Sequence, residues 1–550
     1  MKKPKLIIIG LDGGTFKIID PLIEMGKLPN LKRLIENGTK AILKSTIPPL
    51  TAPAWVSLMT GVNAGKHGLF EFRKLDKITY DTPFNPKPKE TCNLMHSRYY
   101  AGKTIWDILS RNGLKVSILM MPMTYPAWEV NGYMLSGFPS PDFKNPTGYP
   151  LEWASTIGPL FDMSAVAVDN EDRLIDECHQ LVNKLETVFI KQLKNSKCDV
   201  HCVVFSSTDF LQHFLWKYLS NENSKYSNAI YDMYVEIDKY IGNILELVDN
   251  DNCTFVVLSD HGFTASPENY FHTNAWLISE GYLVYSEKNL LNKTIDFLLN
   301  PLRYQKVKLR LFLKSYFKYL PLAFQKKISD SYYGTNIFDW IKSKAFRYRI
   351  GMAEGIVINL KGRQPSGIVD EAEYEILRNE IIEKLRKICD KEQGMKVVSE
   401  IYKREEIYKG KFVELVPDII FMLNSKYKGS VGINTNNVIE NIPDEAIGAI
   451  SGGHDMDGML ILSGPKINKN IEIQPVGIID IFPTILCDLG IPIPSYVDGK
   501  VIKNAFKDEF VPLPVNYIEN EMWKEESDLN LSENEEEEMK KALKSLGYLN

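Results

Sequence analysis

Leu6-Ile7-Ile8-Ile9-Gly10-Leu11-Asp12-Gly13-Gly14 is the stretch on which the fold turns. An apolar run without alternation is a strand buried on both faces, and the Asp-Gly-Gly that follows sets a carboxylate at its end on a backbone free to turn. Similar short runs recur at Val116–Met120, Val200–Phe205, Thr254–Leu258, Gly355–Asn359, Asp418–Phe421 and Gly458–Leu462. Between them lie stretches of helical period, among them Leu31-Lys32-Arg33-Leu34-Ile35 and Met233–Leu247. That alternation predicts an α/β fold with a mostly parallel sheet covered on both faces. Ligands of such sheets bind beyond the carboxyl ends of the strands, so the polar residues that follow each run are the first candidates for a site.

The chain has 550 residues, 44% hydrophobic and 25% charged, a composition that excludes wholesale disorder. Lys and Arg total 65 against 70 Asp and Glu, a net charge of −5, which argues against a surface built for a nucleic-acid polymer. Seven cysteines, Cys92, Cys178, Cys198, Cys202, Cys253, Cys389 and Cys487, form no close pair. An odd, scattered set points to a reducing compartment, and with it to a cytoplasmic location. The Leu6–Ile9 run is too short for a signal peptide, and no run of about 20 apolar residues predicts a membrane span.

Two regions interrupt the rhythm. Residues 71–102, rich in Pro, Lys and Asn, read as a loop excursion, and a second insertion is expected at 285–335. Within it, residues 297–329 carry eight Lys and Arg and no acid, interleaved with Leu, Phe and Tyr. We read a surface helix with a solvated basic face; the sharper alternative is peripheral contact with an anionic membrane. The catalytic domain is expected to span 1–515. Ser532-Glu533-Asn534-Glu535 has the pattern of a capping box, with Met539, Leu543 and Leu546 at helical spacing behind it. Residues 516–550 are therefore expected to be a helical tail, with Glu535–Glu538 as the acidic first turn.

Five segments could carry chemistry. Asp12 ends the first strand. Thr51 lies in Pro48-Pro49-Leu50-Thr51-Ala52-Pro53, where Pro53 fits a first helical turn and places the hydroxyl just ahead of a helix N-terminus, a seat suited to a phosphoryl oxyanion. An unassisted threonine is a poor nucleophile at neutral pH, so it needs a base or a metal ion. Asp209 and His213 follow the Val200–Phe205 run, and in a helix their spacing puts both on one face. Asp260-His261-Gly262 ends another run, and the two side chains can converge only where the strand stops and Gly262 lets the chain turn. His454 follows Gly452-Gly453, which would let the backbone carry an imidazole into a crowded site. Each segment alone has a plain reading as a turn or cap. Together, Asp12, Thr51, Asp209, His213, Asp260, His261 and His454 suffice for two divalent ions with positions left open for a substrate, and their mixed His/Asp character suits zinc or manganese better than calcium.

The order Asp12, Thr51, Asp209-x-x-x-His213, Asp260-His261-Gly262, His454 resembles the alkaline phosphatase superfamily, most closely its type I phosphodiesterase/nucleotide pyrophosphatase branch. Further matching elements are Leu28-Pro29-Asn30-Leu31 with Gly38, Thr60-Gly61 with Lys66-His67-Gly68, Asp480–Leu486, and Asp498-Gly499; the resemblance runs from about residue 4 to 505. It implies an α/β/α sandwich. It also implies Asp12, Thr51, Asp260 and His261 around one metal ion, and Asp209, His213 and His454 around the other. Thr51 would be the nucleophile, forming a phosphothreonine that water hydrolyses, with a small phosphoester, preferentially a phosphodiester, as substrate. The chain departs from the branch after the nucleophile: Ala52-Pro53-Ala54 stands where Phe-Pro-Asn is usual, so nucleotide specificity does not carry over. A phosphomutase using the same site, or a non-catalytic anion or membrane-surface binder, are the alternatives.

Overall fold

The computed structural model describes residues 3–80, 93–166, 170–248, 252–286, 338–433, 435–443, 450–508 and 531–549. The basic stretch 297–329 lies outside the described residues, as do 81–92 of the loop excursion and 516–530 of the expected tail.

Leu6–Leu11 is the hub of the main sheet. It pairs in parallel with Val200–Phe205 on one side and Thr254–Leu258 on the other, with Leu6 level with Val200 and Thr254. Val116–Met121 and Gly132–Ser136 continue the parallel order beyond Val200–Phe205. Beyond Thr254–Leu258, the strand Asp457–Ser463 runs antiparallel to both its neighbours, and the second of these, Gly38–Lys44, therefore points the same way as Leu6–Leu11. All six residues of Leu6–Leu11, Val116–Met121 and Val200–Phe205 are buried, so both faces of the sheet are covered. The expected α/β fold with a mostly parallel sheet is what the chain forms.

Two of the apolar runs belong elsewhere. Ala353–Ile358 and Ile419–Leu423, which contain most of the Gly355–Asn359 and Asp418–Phe421 runs, lie in a separate four-stranded antiparallel sheet with Ala345–Ile350 and Val398–Lys403. Gly351-Met352 is a two-residue connection between Ala345–Ile350 and Ala353–Ile358, too short for the crossover that a parallel pair requires. Phe346, Ile356, Ile358, Ile381, Leu385, Ile419 and Phe421 build a second apolar core under this sheet, distinct from the one around Leu6–Leu11. A run buried on both faces does not reveal strand direction.

In the described parts of the 71–102 excursion, residues 71–80 and 93–102, Arg73 and Leu94 form a bridge and Ser97–Tyr99 a short turn of helix. The capping box at Ser532 is formed, and it opens the helix Glu533–Ser545. Met539, Leu543 and Leu546 are buried in the main core. Among the described residues no helix is long and apolar enough to cross a membrane, and no disulfide joins Cys178, Cys198, Cys202, Cys253, Cys389 and Cys487.

Candidate active site

Four of the five segments reach one edge of the main sheet by the same device. Leu6–Leu11, Val200–Phe205, Thr254–Leu258 and Gly38–Lys44 share a direction, so Asp12, Asp209, Asp260 and Thr51 all follow carboxyl ends. Gly13 has φ 66°, and this turn brings its N–H to Asp260 Oδ1 at 3.1 Å. Ser207–Leu215 is helical, as the Asp209/His213 spacing predicts. Thr51 is the first residue of the helix Thr51–Thr60, one position further in than expected, with Leu50 as its cap. His454 arrives on Gly452–Asp455, which pairs antiparallel with Gly262–Ala265.

The glycines beside the histidines work by closeness. Gly262 does not adopt a left-handed conformation; a Cβ there would lie 2.1 Å from the Asp457 carbonyl oxygen. Gly452 lets its strand pass the Gln212 carbonyl, 2.3 Å from where a Cβ would sit, whereas Gly453 has open space around it.

All seven predicted side chains meet. His261 Nε2 lies 3.3 Å from Thr51 Oγ1, 3.2 Å from Asp260 Oδ2 and 3.7 Å from Asp12 Oδ1. His213 Nε2 and His454 Nε2 are 3.0 Å apart, and each is 3.4 Å from Asp209 Oδ1. The rings of His261 and His454 stack with centroids 3.6 Å apart, joining the two halves. Ligand atoms of Asp209, His213 and His454 lie within 4.8 Å of one another, and so do those of Asp12, Asp209 and His261. Asp209 thus stands between both cradles rather than in one alone.

The donor set fits divalent cations in two ways. Asp12 Oδ2 accepts from Trp55 Nε1 at 3.3 Å, Asp260 Oδ1 from Gly13 N, and Asp209 Oδ2 from the Tyr548 hydroxyl at 3.2 Å. The other oxygen of each, Asp12 Oδ1, Asp260 Oδ2 and Asp209 Oδ1, is buried without a hydrogen-bond partner. Among the described residues one further buried carboxylate oxygen shares that condition, Asp488 Oδ1, and it has Lys466 Nζ at 3.5 Å. The imidazoles are equally ordered. His261 Nδ1 faces the Gly262 carbonyl at 3.0 Å, His213 Nδ1 the Gly452 carbonyl at 3.2 Å and His454 Nδ1 the Pro49 carbonyl at 3.0 Å. A carbonyl only accepts, so each Nδ1 carries the proton and each Nε2 turns a lone pair inward. With a single proton on each ring, two lone pairs face each other over 3.0 Å, and either a further proton or a metal ion must lie between them.

Electrostatics say the same for the protein without ions. Burial, reinforced by Asp260 and Asp209, holds the Asp12 carboxyl well above its ordinary range, and burial lifts Asp260 to about 8. Burial also works against ionised Asp209, but His213 and His454 overcome it and hold that group well below the ordinary value. Burial pushes His261 far down, with His454 adding to the effect. A cluster of carboxyl groups that cannot all ionise unaided is what cations would relieve.

Among the described residues, these groups are covered. The seven residues are between 0 and 7% exposed, and Tyr548 lies over them. Its hydroxyl is 3.4 Å from Thr51 Oγ1, 3.4 Å from His213 Nε2 and 3.3 Å from His454 Nε2. Its ring rests on Phe72 and Phe138, with centroids 4.9 and 6.1 Å away. Tyr548 is the site residue that sequence reasoning missed. It follows Leu546 and Gly547 with no motif around it, and only the docking of its helix brings it here.

The remaining matching elements brace the fold. Asp238 accepts the backbone N–H groups of Asn30 and Leu31 at 3.2 and 2.7 Å, fixing the start of the helix Pro29–Glu36. Asp498 accepts from Asn63 N at 3.0 Å and pairs with Lys66 Nζ at 2.5 Å. Gly61, at φ 68°, ends the helix Thr51–Thr60 against Phe482.

No curated protein matches the chain. Among solved structures it is similar to an inactive variant of murine ectonucleotide pyrophosphatase/phosphodiesterase 5 in complex with AMP, at 13% identity and a TM-score of 0.45, over 90% of this chain and 96% of that one. The human ectonucleotide pyrophosphatase/phosphodiesterase 5 aligns at 13% identity and a TM-score of 0.42, over 89% and 96%. The sequence profile of the type I phosphodiesterase/nucleotide pyrophosphatases matches residues 6–436, and it covers every candidate above except His454 and Tyr548. With a match over most of its length, the chain belongs to the type I phosphodiesterase/nucleotide pyrophosphatase family of phosphodiester-cleaving hydrolases.

Proposed function

We propose that the protein is a two-metal phosphohydrolase that cleaves small phosphoesters, preferentially phosphodiesters, through a phosphothreonine at Thr51. The observation that carries this reading is the set of three bare carboxylate oxygens, on Asp12, Asp209 and Asp260, facing three imidazoles whose Nδ1 protons are already committed. Asp12, Thr51, Asp260 and His261 would hold one ion and Asp209, His213 and His454 the other, with zinc or manganese suiting the donors. Bound there, the ions supply Lewis acidity toward phosphoryl oxygens and toward the Thr51 hydroxyl.

The chain's own residues do the rest. Thr51 opens a ten-residue helix, so the positive end of the helix dipole faces an attached phosphoryl group. Pro53 lacks an N–H, and Ala54 N already donates to the Leu50 carbonyl at 3.0 Å, which leaves few free donors in that turn. The site therefore depends on its ion ligands more than on backbone N–H groups. Ala52 and Ala54 offer no side-chain polar contact to a substrate, in keeping with a phosphoester specificity set elsewhere than in this turn.

A chromogenic diester assayed with zinc or manganese, wild type beside Thr51→Ala, tests the proposal. We expect turnover by the wild type alone; equal turnover by both proteins would remove Thr51 from the chemistry.

A further inference from the structure

The hydroxyl of Tyr548 has four polar neighbours, not the single partner of an ordinary packed phenol. Its polar contacts are Asp209 Oδ2 at 3.2 Å, His454 Nε2 at 3.3 Å, His213 Nε2 at 3.4 Å and Thr51 Oγ1 at 3.4 Å. A packed phenol usually satisfies itself with one carbonyl or one carboxylate. This one closes a polyhedron.

The edges of that polyhedron are informative. His213 Nε2 to His454 Nε2 is 3.0 Å, each of these to Asp209 Oδ1 is 3.4 Å, and the phenol oxygen lies 3.4 Å from His213 Nε2 and 3.3 Å from His454 Nε2, while its proton goes to the other oxygen, Asp209 Oδ2, at 3.2 Å. A tetrahedral zinc ion with ligand bonds of about 2.0–2.1 Å has its ligand atoms about 3.3–3.4 Å apart. The phenol oxygen also touches the nucleophile, so it fills the space between Thr51 and that ion in which a phosphoryl group must sit.

We propose that Tyr548 is the fourth ligand of the ion held by Asp209, His213 and His454, standing in the position that a substrate oxygen must take from it. The inference rests on the two-metal reading. Its structural support extends along the whole of Glu533–Ser545, which is fastened rather than loosely laid. Tyr125 donates its hydroxyl to Glu535 at 2.5 Å, Leu94 N donates to Glu536 at 3.2 Å, and Met539, Ala542 and Leu543 are buried in the main core. The helix seats the phenol, and Phe72 and Phe138 hold its ring. A site with four protein ligands is closed, whereas a catalytic one keeps a position free. Tyr548 therefore makes the resting protein closed at this ion, and a phosphoester enters by displacing the phenol oxygen. On ligation the phenol gives its proton to solvent, and on displacement it takes one back.

The full-length protein, stripped of metal and titrated with zinc, provides the test. The wild type should develop the ultraviolet difference spectrum of one tyrosinate per chain at neutral pH, and Tyr548→Phe should develop none. The Phe ring keeps the packing on Phe72 and Phe138. In competition with a chelator, this variant should hold one of its two ions about tenfold more weakly, and it should bind inorganic phosphate about tenfold more tightly in the zinc-loaded state. Two bound ions without a tyrosinate signal in the wild type would overturn the role of Tyr548 and leave the two-metal reading intact. Failure of the wild type to bind zinc at all would overturn both.

Discussion

Asp209 and Asp418 are both buried aspartates, 2 and 1% exposed, and they have opposite surroundings. Every lone-pair direction of Asp418 is used: Oδ1 accepts from Arg363 at 2.6 Å and from the Tyr374 hydroxyl at 2.8 Å, and Oδ2 from Ile358 N at 2.7 Å and from Arg363 at 2.5 Å. Asp209 keeps Oδ1 bare beside two imidazoles. Burial alone does not tell a ligand from a brace. The unfilled valence does, because desolvating a carboxylate is costly and only a partner still to come can offset it. The antiparallel sheet around Asp418 is finished as it stands, and the edge of the parallel sheet is not.

The comparison breaks first, and most visibly, at Asp209. Asp209→Asn should lower diester turnover by about 10³-fold or more, since it weakens both cradles. It should destabilise the metal-free protein less than Asp418→Asn does, because only His213 and His454 oppose burial at Asp209, whereas Asp418 has four hydrogen bonds. Turnover, metal content and melting of the chelated protein check the three parts. A metal-free Asp209→Asn that unfolds as easily as Asp418→Asn would make Asp209 a brace.

Chelation sharpens the same contrast through stability alone. Ions at about a thousand times their dissociation constant stabilise the folded chain by roughly 4 kcal/mol, so removing them should lower the wild-type melting temperature by several degrees. Asp209→Asn should lose less. An unchanged wild-type melting temperature after complete chelation would contradict the cation-relief argument.

Asp418→Asn should behave in the reverse way. Arg363, three-quarters buried, would lose its charged partner, and the fold should lose about 3 kcal/mol with no change in metal content. Denaturant unfolding and metal analysis of one preparation decide it. Loss of metal with retained stability would sink the distinction drawn here.

How far these differences were legible in the sequence follows from what each depends on. Asp12, Asp209 and Asp260 could be found because each follows a strand whose apolar run is written locally, and a parallel sheet gathers such ends on one edge, while Thr51 could be found because Pro53 marks the start of its helix. His213 follows from helix geometry alone. The common position of Asp209 between both cradles was not legible, because it depends on where a helix start sits relative to two strands. Tyr548 was less legible still. The capping box at Ser532 announced its helix, but the amphipathic pattern of Met539, Leu543 and Leu546 states only that one face is buried, not against what. The antiparallel order of Ala345–Ile350 and its neighbours was hidden for a related reason: direction is set by connection length, and the residues of a doubly buried run carry no mark of it.

A third carboxylate gives the smallest effect and the clearest sign. Glu236 has one partner on each oxygen, Asn183 Nδ2 at 2.7 Å and His179 Nδ1, and the His179 side chain is 32% exposed. The hydrogen bond from Glu236 holds the His179 pKa above its ordinary 6.5, with burial opposing and the charges of Glu236, Asp232 and Asp176 assisting. A histidine raised in the folded state binds its proton more tightly there than when unfolded. Its contribution is therefore complete below 6.5 and is lost as the pH rises through the folded value. Solvent screening keeps that contribution to roughly 0.5 kcal/mol. Melting of wild type and His179→Gln at about pH 5.5 and about pH 8.5 should show the variant less stable at the lower pH and level with the wild type at the higher. Because both proteins share every other titrating group, the difference between them isolates this pair. A gap that widens with pH would mean that His179 is held neutral, and that a carboxylate partnered near solvent does not act as Asp418 does in the interior.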